Sequence, residues 1–318
     1  MVPKLITLEE HFISSNISGA VDAYNTWSYP VSSKLKDVGD ERIKDMDSGQ
    51  VSLQVISHAP YCATIDECRT GNDELSSTCK QETKRFAAFG MLPMLEPTEA
   101  SVELERCIKQ LGFVGALINN HTDGTFYDDE KYWPVFEKAV ELDVPIYIHP
   151  SFPSQTMADH YKGNYSDQTA FMLSIASWGW HSECGLHILR LFAAGLFDRY
   201  PKLKLIIGHD GEMLPFMLDR TMPLSKFWGE RQRDLRTAWN ENIWVTTSAM
   251  FSLAPFACLL RVSKVDKIMY SIDYPFVPNE NGLAFVKELE QSGLVSNEEL
   301  EMICRGNAEK LLGVRAAD

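Results

Sequence analysis

The sequence predicts an α/β fold, a distorted (β/α)8 barrel of the TIM type, and three observations support this prediction. Eight short apolar runs, most of them rich in branched side chains, recur along the 318 residues. Helical patterns separate most of these runs, and such strand–helix alternation is typical of a parallel sheet. Several runs stop at Glu, His or Asp, the side chains that functional barrels display at the carboxyl ends of their strands.

The predicted strands are mostly apolar on both faces, as strands are when helices cover a parallel sheet. An open doubly wound sheet is the alternative fold. It would need a glycine-rich phosphate-binding turn after an early strand, but the sequence contains no G-x-G-x-x-G. The barrel strands are predicted at Leu5–Leu8, Val51–Ser57, Phe86–Met91, Gly115–Asn119, Pro145–His149, Leu205–Gly208, Ile243–Thr247 and Ile268–Ser271.

The helices are predicted from apolar residues spaced three and four apart. Ser296 and Glu299 form a capping-box pattern at the start of the last helix, which we expect to end near Gly313. The clearest other helices are predicted at Glu99–Gln110, Trp133–Leu142 and Gly185–Phe197.

Two long connections interrupt the regular alternation. One runs from Ser14 to about Asp40, after the first strand, and the other from Ser151 to about Glu183, after the fifth. Because both leave the carboxyl ends of strands, we expect both to lie over the functional face of the barrel. No shift in composition marks a second domain, so residues 1–318 are predicted to form one barrel domain.

Composition and charge exclude several classes of partner. The net charge of −14 argues against a nucleic-acid groove, which needs clustered Lys and Arg. No apolar stretch reaches the length of about 18 residues that a membrane span requires, and the amino terminus does not have the pattern of a signal peptide. Seven cysteines, an odd and scattered set, predict reduced thiols in a cytoplasmic protein.

Four side chains at or near strand ends are candidate metal ligands: Glu9, His11, His149 and Asp273. Glu9 and His11 are two residues apart, so an extended chain points both to one side, although either also fits a solvated surface position. His149 ends a buried run, where a hydrogen-bonded core histidine is the more frequent alternative. A carboxylate at Asp273 is costly to bury without a cation or hydrogen bonds. Two imidazoles and two carboxylates suit a divalent ion with an open position.

A second group of polar residues lies near other strand ends. His209 follows the sixth strand, and if a helix begins at the next residue, Glu212 lies in its first turn, either as a hydrogen-bond partner of His209 or as a capping residue. Arg220, further along, is predicted to contact a carboxylate or to pair with a neighbour. Asn119 and His58, at other strand ends, are candidate donors to a substrate. The other histidines carry no functional prediction: His121, His160 and His181 in loops, and His187 as a structural residue of an apolar helix.

Longer phrases around these residues resemble the amidohydrolase superfamily. Within it, the chain is most similar to the ACMSD-like decarboxylases, and above all to the non-oxidative hydroxybenzoate decarboxylases that act on γ-resorcylate, 2,3-dihydroxybenzoate or salicylate. The phrases are LEEHF, GFVGALINN, LDVPIYIHP, GLFDRYPKLKLIIGHDGE, ENIWVTTSAMF, DKIMYSIDYPF and GNAEKLLG, and they cover nearly the whole chain in this order. The metal-ligand positions of the family match Glu9, His11, His149 and Asp273.

The resemblance also implies a cofactor and catalytic roles. It implies one divalent metal ion, zinc first and manganese or magnesium next, and no organic cofactor. Asp273 would protonate the carboxyl-bearing ring carbon, while His209 with Glu212 would orient the substrate and move protons. Phe276 resembles an aromatic residue that shapes the pocket close to a subunit boundary. The family positions near the substrate match Asn119, Arg220 and Phe276.

The expected function is a metal-dependent, reversible, non-oxidative decarboxylation of an ortho-hydroxy aromatic acid of the salicylate, resorcylate or dihydroxybenzoate type. The expected partners are that small acid and further copies of the chain, as a homodimer or homotetramer. The alternatives are a metal-dependent hydrolase or hydratase of a lactone, cyclic amide or enol acid, and a barrel that only binds. Glu9 in place of a first His, and the lack of a bridging Lys, argue against the hydrolase. The segment Ser151–Thr156 lacks the Arg that relatives often carry there, which leaves the substrate open.

Overall fold

A ring of short parallel strands forms the centre of the molecule in this computed structural model, which describes residues 2–25, 31–82 and 84–316. The strands pair in chain order, β1–β2–β3 and then β4 through β9, and every pairing is parallel. They span β1 Leu5–Phe12, β2 Val51–His58, β3 Phe86–Ala88, β4 Gly90–Met91, β5 Ala116–Asn119, β6 Ile146–His149, β7 Leu205–Ile207, β8 Ile243–Thr246 and β9 Ile268–Met269. The predicted barrel is confirmed.

The third predicted strand is divided in two at Phe89, so the described residues contain nine strands where eight were predicted. The amide of Phe89 donates to the carbonyl of Ile56 in β2, at 2.9 Å, whereas the amide of Gly90 donates to Gly115, beside β5, at 3.0 Å. The chain thus changes its pairing partner at this residue. The two halves together occupy one position of an eight-position barrel.

The first strand is longer than predicted and carries a bulge. It continues to Phe12, so Glu9 and His11 lie within the strand and not after it. Its pairing with β2 shifts register between Thr7 and Glu10. An extra residue in one strand of a pair re-aims the side chains that follow it, and such bulges are frequent next to functional sites.

Side chains help to close the barrel between β1 and the segment that follows β9. The amide of His11 donates to the carbonyl of Tyr274 at 2.7 Å. The carboxyl group of Glu10 accepts hydrogen bonds from the amides of Ile272 and Tyr274, both at 3.1 Å, and from the hydroxyl of Ser271 at 3.0 Å. We call this closure between β1 and the segment after β9 the seam. Because only part of the seam consists of backbone hydrogen bonds, the barrel is distorted here, as predicted.

Helices surround the barrel. The predicted capping box is present: the Ser296 hydroxyl accepts from the amide of Glu299, and the Glu299 carboxylate accepts from the amide of Ser296. Single π-helical turns at Cys107–Leu111 and Met302–Gly306 interrupt two of the predicted helices. The helical elements are α1 Ser18–Asn25, α2 Ser32–Lys36, α3 Asp40–Ser48, α4 Ile65–Gln81, α5 Pro97–Arg106, α6 Trp133–Glu141, α7 Gln155–Asp159, α8 Asp167–Ser174, α9 Gly179–Ala194, α10 Leu196–Arg199, the turn α11 His209–Glu212, α12 Leu214–Ser225, α13 Leu235–Asn242, α14 Leu253–Val262, α15 Asn279–Ser292, α16 Asn297–Glu301 and α17 Asn307–Leu312.

The two long connections contain short helices. The first includes α1 and α2, and residues 26–30 of it lie outside the described part of the chain. The second includes α7 and α8 and is shorter than predicted, because α9 begins at Gly179 and not at Gly185. In the described ranges, no helix combines the length and the apolar character needed to cross a lipid bilayer.

The barrel interior is a packed core below the functional rim. Ile6, Leu8, Phe89, Tyr147 and Ile206 form one buried cluster inside the ring of strands. A filled interior leaves no pore, so any ligand must bind above it, at the end where the strands finish. The phenol of Tyr147 is at the top of this cluster, where the polar residues begin.

Candidate metal centre and active site

Four side chains from distant parts of the chain converge at the carboxyl-end rim: Glu9, His11, His149 and Asp273. One ligand atom from each lies within 4.8 Å of those of the others. Glu9 Oε1 is 3.0 Å from His149 Nε2, and His11 Nε2 is 3.3 Å from Asp273 Oδ1. The side chain of Asp273 is 14% exposed, whereas the other three are almost completely buried. The cluster is therefore closed from below and open on the side of Asp273.

The cluster fits a single divalent cation. Glu9 Oε1 and His11 Nε2 are buried but have no hydrogen-bond partner among the described residues. Buried polar atoms without partners are rare in folded proteins, since each costs the free energy of its lost hydration. Two imidazole nitrogens and two carboxylate groups form a donor set suited to a first-row divalent ion. The open side leaves room for one further ligand.

The imidazole of His149 is oriented to bind a metal. Its Nδ1 lies 2.6 Å from the carbonyl of Pro150, which can only accept, so Nδ1 carries the proton and Nε2 faces the cluster. Burial lowers the pKa of His149, but the adjacent carboxylate of Glu9 outweighs burial and the net shift is upward. Burial also lowers the pKa of His11, against the opposing effect of Asp273, which favours the neutral ring that binds metals.

A chain of hydroxyl groups holds Glu9 from beneath. Tyr147 donates a short hydrogen bond to Glu9 Oε2, leaving Oε1 to face the cluster. The Thr246 hydroxyl lies 2.6 Å from the Tyr147 oxygen and 2.8 Å from the Ser248 hydroxyl. Burial alone would raise the pKa of Glu9, but the positive charges of His209 and His149 more than offset it and hold the pKa well below its ordinary value. Glu9 is therefore ionised in the folded protein.

His209 and Glu212 lie in a left-handed turn, where the sequence predicted the start of a right-handed helix. Backbone φ is positive at every residue from His209 to Met213. A non-glycine residue in this region costs on the order of 1–2 kcal/mol, so the turn persists only because its surroundings impose it. Gly211 is required there: its φ is +94°, and a Cβ atom would lie 2.7 Å from Pro215 Cγ. The helix α12 begins only after the turn, at Leu214.

The turn brings His209 and Glu212 into contact, as one of the two alternatives predicted. His209 Nδ1 is 2.8 Å from Glu212 Oε1, while Nε2 faces the cluster, 3.7 Å from Glu9 Oε1 and 3.8 Å from Asp273 Oδ2. Burial lowers the pKa of His209, but the negative charges of Glu212 and Glu9 outweigh it and raise the pKa well above its ordinary value. The carboxylate of Glu212 therefore holds a proton on Nδ1 of His209 and leaves Nε2 to face the cluster.

Sequence reasoning missed one residue of this site, His181. It was assigned to a loop, but it lies in the first turn of α9, and its Nδ1 is 2.8 Å from Glu212 Oε2. His181 could have been placed in this site from the sequence only if α9 had been predicted to begin before it. Two glycines at Gly179 and Gly185 obscured that start, because glycine disfavours helices in sequence-based reasoning.

An open cavity of about 640 Å³ lies above the cluster. His149 and Asp273 are among its lining residues. Phe276 also lines it, as predicted, and its ring centroid is 5.8 Å from that of His11. The remaining wall is largely aromatic and apolar, and includes Tyr24, Phe152, Phe171, Met172 and Trp180. The second long connection supplies three of these residues, and Trp180 lies in the first turn of α9, so the connection covers the functional face as expected.

Asn119 and His58 lie beside a different, smaller space. Both line a cavity of about 20 Å³ that has room for roughly one water molecule. The Nδ1 of His58 donates to the carbonyl of Ala59 at 2.7 Å, and its Nε2 accepts from the amide of Ser14 at 3.2 Å. Burial lowers the pKa of His58 to about 4. Both nitrogens are thus engaged within the fold, and contact of either residue with a substrate stays a prediction.

The structure does not bring Arg220 to the cavity of its own chain. Its side chain is exposed on α12, four residues after Phe216 and four before Leu224, which are also exposed. Residues four apart share one face of a helix, so Arg220 belongs to an outward-facing, mainly apolar stripe. Its predicted contact with substrate is therefore not made within a single chain.

Fold and site together define a class: a (β/α)8 barrel with a mixed imidazole and carboxylate metal centre at its rim. The family model described as Amidohydrolase matches residues 36–314. The chain is 49% identical to decarboxylase orsB of Emericella nidulans, over 99% of this chain and 98% of that one. It is 33% identical to a gamma-resorcylate decarboxylase of Polaromonas sp., over 96% and 97%. The chain belongs to the amidohydrolase family.

A solved structure adds a ligand-bound relative. A dihydroxybenzoic acid decarboxylase from Polaromonas sp., with bound manganese and the inhibitor 2-nitroresorcinol, aligns with a TM-score of 0.86 and 30% identity, over 98% of this chain and 97% of that chain. These comparisons confirm the predicted family. The three relatives named here are decarboxylases, one of them with a divalent metal bound.

Proposed function

We propose that this protein is a metal-dependent, non-oxidative decarboxylase of an ortho-hydroxy aromatic acid of the salicylate, resorcylate or dihydroxybenzoate type. The observation that carries the proposal is the convergence of Glu9, His11, His149 and Asp273 beneath an aromatic-lined cavity. The activities named for the relatives at near-complete coverage support it. The reaction releases CO2 and runs in reverse with excess bicarbonate.

The cofactor is one divalent metal ion held by the four clustered side chains, and no organic cofactor is needed. Zinc is our first choice because two imidazoles are available, and manganese is the alternative that the Polaromonas structure supports, with magnesium third. When bound, the ion supplies a template and Lewis acid for the ortho hydroxyl group. Metal analysis of the purified protein, followed by activity after reconstitution with each ion, decides between them.

Asp273 is the proposed proton donor to the ring. Decarboxylation forms a C–H bond at the carbon that carries the carboxylate and then breaks the C–C bond, whose electron pair returns to the ring as CO2 leaves. Asp273 lines the cavity floor and is partly accessible, so its carboxyl group can approach a ring face. The aromatic wall borders the same space, so a bound aromatic acid would displace water from it.

His209 is the proposed proton carrier between Asp273 and Glu212. Its Nε2 is 3.8 Å from Asp273 Oδ2, and its Nδ1 is held by Glu212. Burial would raise the pKa of Glu212, but the positive charges of His209 and His181 lower it below its ordinary value. The carboxylate therefore stays ionised and holds a proton on Nδ1 of His209, so Nε2 is the nitrogen that exchanges protons with Asp273.

A panel of acids tests the proposal. Salicylate, 2,3- and 2,6-dihydroxybenzoate, 6-methylsalicylate and orsellinate are assayed for CO2 release, before and after chelation of the metal. 3-Hydroxybenzoate is the matched control, since it lacks the ortho hydroxyl group. We expect metal-dependent CO2 release from at least one ortho-hydroxy acid and none from the control. Opening of a lactone ring without CO2 release from any acid would favour the hydrolase instead.

We also propose that the chain assembles as a homodimer or homotetramer through the outer face of α12. Phe216 is 83% exposed and Phe227, just beyond the helix, is 75% exposed. Large apolar side chains that group together on an exposed surface often mark a site of protein–protein interaction. Phe216→Ser should lower the molar mass measured by light scattering, whereas Val102→Ser, at an exposed position on α5, should leave it unchanged.

A cytoplasmic location is the third proposal. All seven cysteines are free, and burial raises the pKa of the Cys68 and Cys107 thiols, which keeps them unreactive. Free thiols persist in a reducing compartment. A fluorescent fusion that accumulates in a secretory compartment would contradict this location.

A further inference from the structure

The carboxylate of Glu212 lies between two imidazoles. Its Oε1 is 2.8 Å from His209 Nδ1, and its Oε2 is 2.8 Å from His181 Nδ1. Glu212 is completely buried, whereas the side chain of His181 is 20% exposed. The two rings approach each other edge to face, with centroids 4.6 Å apart. Each carboxylate oxygen therefore has its own histidine, one on the side of the metal cluster and one on the side of solvent.

The second nitrogen of His181 also faces an acceptor. Its Nε2 lies 3.1 Å from the carbonyl oxygen of Ala176. A carboxylate and a carbonyl can only accept hydrogen bonds, so both contacts are made only when both nitrogens of His181 carry protons. Both nitrogens of His181 thus face acceptors, and the Nδ1 contact is the one made to Glu212.

The fold delivers His181 to this position through helix α9. Gly185 lies one turn after His181, on the same face of the helix. A Cβ atom at Gly185 would come within 2.5 Å of the Glu212 carbonyl oxygen, so the helix backbone packs directly against the left-handed turn. This close packing of α9 against the turn holds His181 beside Glu212.

We propose that His181 is a positioning residue that fixes the orientation of the proton carrier His209. With Oε2 held by His181, Glu212 presents only Oε1 to His209. The proton on His209 Nδ1 is then fixed, and Nε2 is kept facing Glu9 and Asp273. Without His181, the carboxylate loses one of its two partners, and the tautomer and ring orientation of His209 are no longer imposed.

The spectroscopic test does not depend on the proposed decarboxylase function. Histidine is labelled with 15N, and imidazole nitrogen signals are compared for wild type, His181→Gln and His181→Leu, with His209 assigned by its own variant. We expect a proton on Nδ1 of His181 and on Nδ1 of His209 in the wild type, since each faces an oxygen of Glu212. His181→Gln keeps a donor to Glu212 and should preserve the His209 signals, whereas His181→Leu should give a mixture of tautomers. Unchanged His209 signals in His181→Leu would overturn the proposal.

The kinetic test rests on the proposed function. In His181→Leu we expect kcat to fall by at least about 10-fold with KM within about 2-fold, and in His181→Gln a smaller loss. His160→Leu, in the same connection but exposed, is the matched control and should behave as wild type. Equal losses in the Gln and Leu variants would overturn positioning through a hydrogen bond. If His181→Leu does not fold, His181→Asn replaces it, since its shorter amide cannot reach Glu212.

Two further outcomes are distinguishable. His181, His209 and Glu212 also have ligand atoms within 4.8 Å of one another. A second metal ion per chain that is lost in His181→Leu would overturn the hydrogen-bonded assignment. Wild-type protein with the expected nitrogen signals, but without CO2 release from any acid, would remove the decarboxylase function and leave the positioning role in place.

Discussion

Glu9 Oε1 lies 3.0 Å from His149 Nε2, at hydrogen-bonding distance but without hydrogen-bonding alignment. The other nitrogen of His149 donates to Pro150, and the other oxygen of Glu9 accepts from Tyr147. Each group is thus held from behind while its free atom points into the same small space. That arrangement is typical of metal ligands fixed by neighbouring residues, and the predictions below depend on it.

Loss of His11 should weaken metal binding. His11→Ala removes one of the four proposed ligands, so we expect the affinity for the divalent ion to fall by at least about 100-fold. Competition with a chelator measures the affinity. His160→Ala, outside the cluster, should retain the wild-type value. Unchanged metal content in His11→Ala would mean that another residue completes the site.

Asp273→Asn should abolish turnover without unfolding the protein. The amide keeps the size of the side chain but cannot deliver a proton, so we expect kcat to fall by about 10³-fold or more. Circular dichroism and the thermal midpoint report on the fold. Asp266→Asn, at an exposed position just before β9, is the control. Near-normal activity in Asp273→Asn would remove the proposed proton donor.

Tyr147→Phe tests the support beneath Glu9. The substitution removes the donor to Glu9 Oε2 and breaks the chain through Thr246. We expect metal affinity to fall by about 10- to 100-fold, which is typical for loss of a group that orients a ligand. Isothermal titration with the divalent ion measures this change. An affinity equal to that of wild type would show that Glu9 needs no such support.

Gly211→Ala should damage the left-handed turn. The new Cβ would meet Pro215 and would occupy a strained backbone region, so we expect a loss of about 2–4 kcal/mol in the free energy of unfolding. Gly293→Ala is the matched control, because φ there is also positive, at +70°, but no atom lies within 4 Å of the added Cβ. Urea denaturation compares the two. Equal losses would mean that packing against Pro215 has no role.

Acidification should destabilise the protein through its buried histidines. Burial lowers the pKa of His187 to about 3, against about 6.5 in an unfolded chain, so this group is neutral in the folded state. Above pH 6.5, His187 is neutral in both the folded and the unfolded state. Below pH 6.5 it binds a proton in the unfolded state only, so the free energy of unfolding falls as pH falls from about 6.5 towards 3, by about 2 kcal/mol at pH 5.

A variant isolates this contribution. In His187→Gln the free energy of unfolding should change less between pH 7 and pH 5 than in wild type, by about 2 kcal/mol. The Gln oxygen can still accept from the amide of Tyr127, which His187 Nε2 accepts at 3.3 Å. Urea titrations at the two pH values provide the comparison, and identical pH dependence in the two proteins would exclude His187 as a source.

The barrel and the convergence of the four candidate metal ligands could be predicted because their signals are local. An apolar run marks a buried strand, and the polar residue that ends it marks the rim, as for His149. The chain order of parallel strands then brings these rim residues together. The same local logic predicted the capping box at Ser296 and the contact between His209 and Glu212.

Other features depend on contacts between distant residues and could not be predicted locally. The division of one strand at Phe89 follows from its pairing with two different neighbours. The seam at Glu10 follows from hydrogen bonds to residues more than 260 positions away. The left-handed turn after β7 contradicts local preference, and His181 was missed because α9 begins earlier than its apolar pattern indicates. Arg220 was placed by resemblance, and a single chain leaves it on the outer surface.

Anomalous diffraction from crystals of the metal-loaded protein tests the central claim most directly. If the four clustered side chains hold a single divalent ion, we expect one strong peak per chain, within bonding distance of Glu9, His11, His149 and Asp273. A peak elsewhere, or a metal bound without Glu9 and Asp273 as ligands, would contradict it.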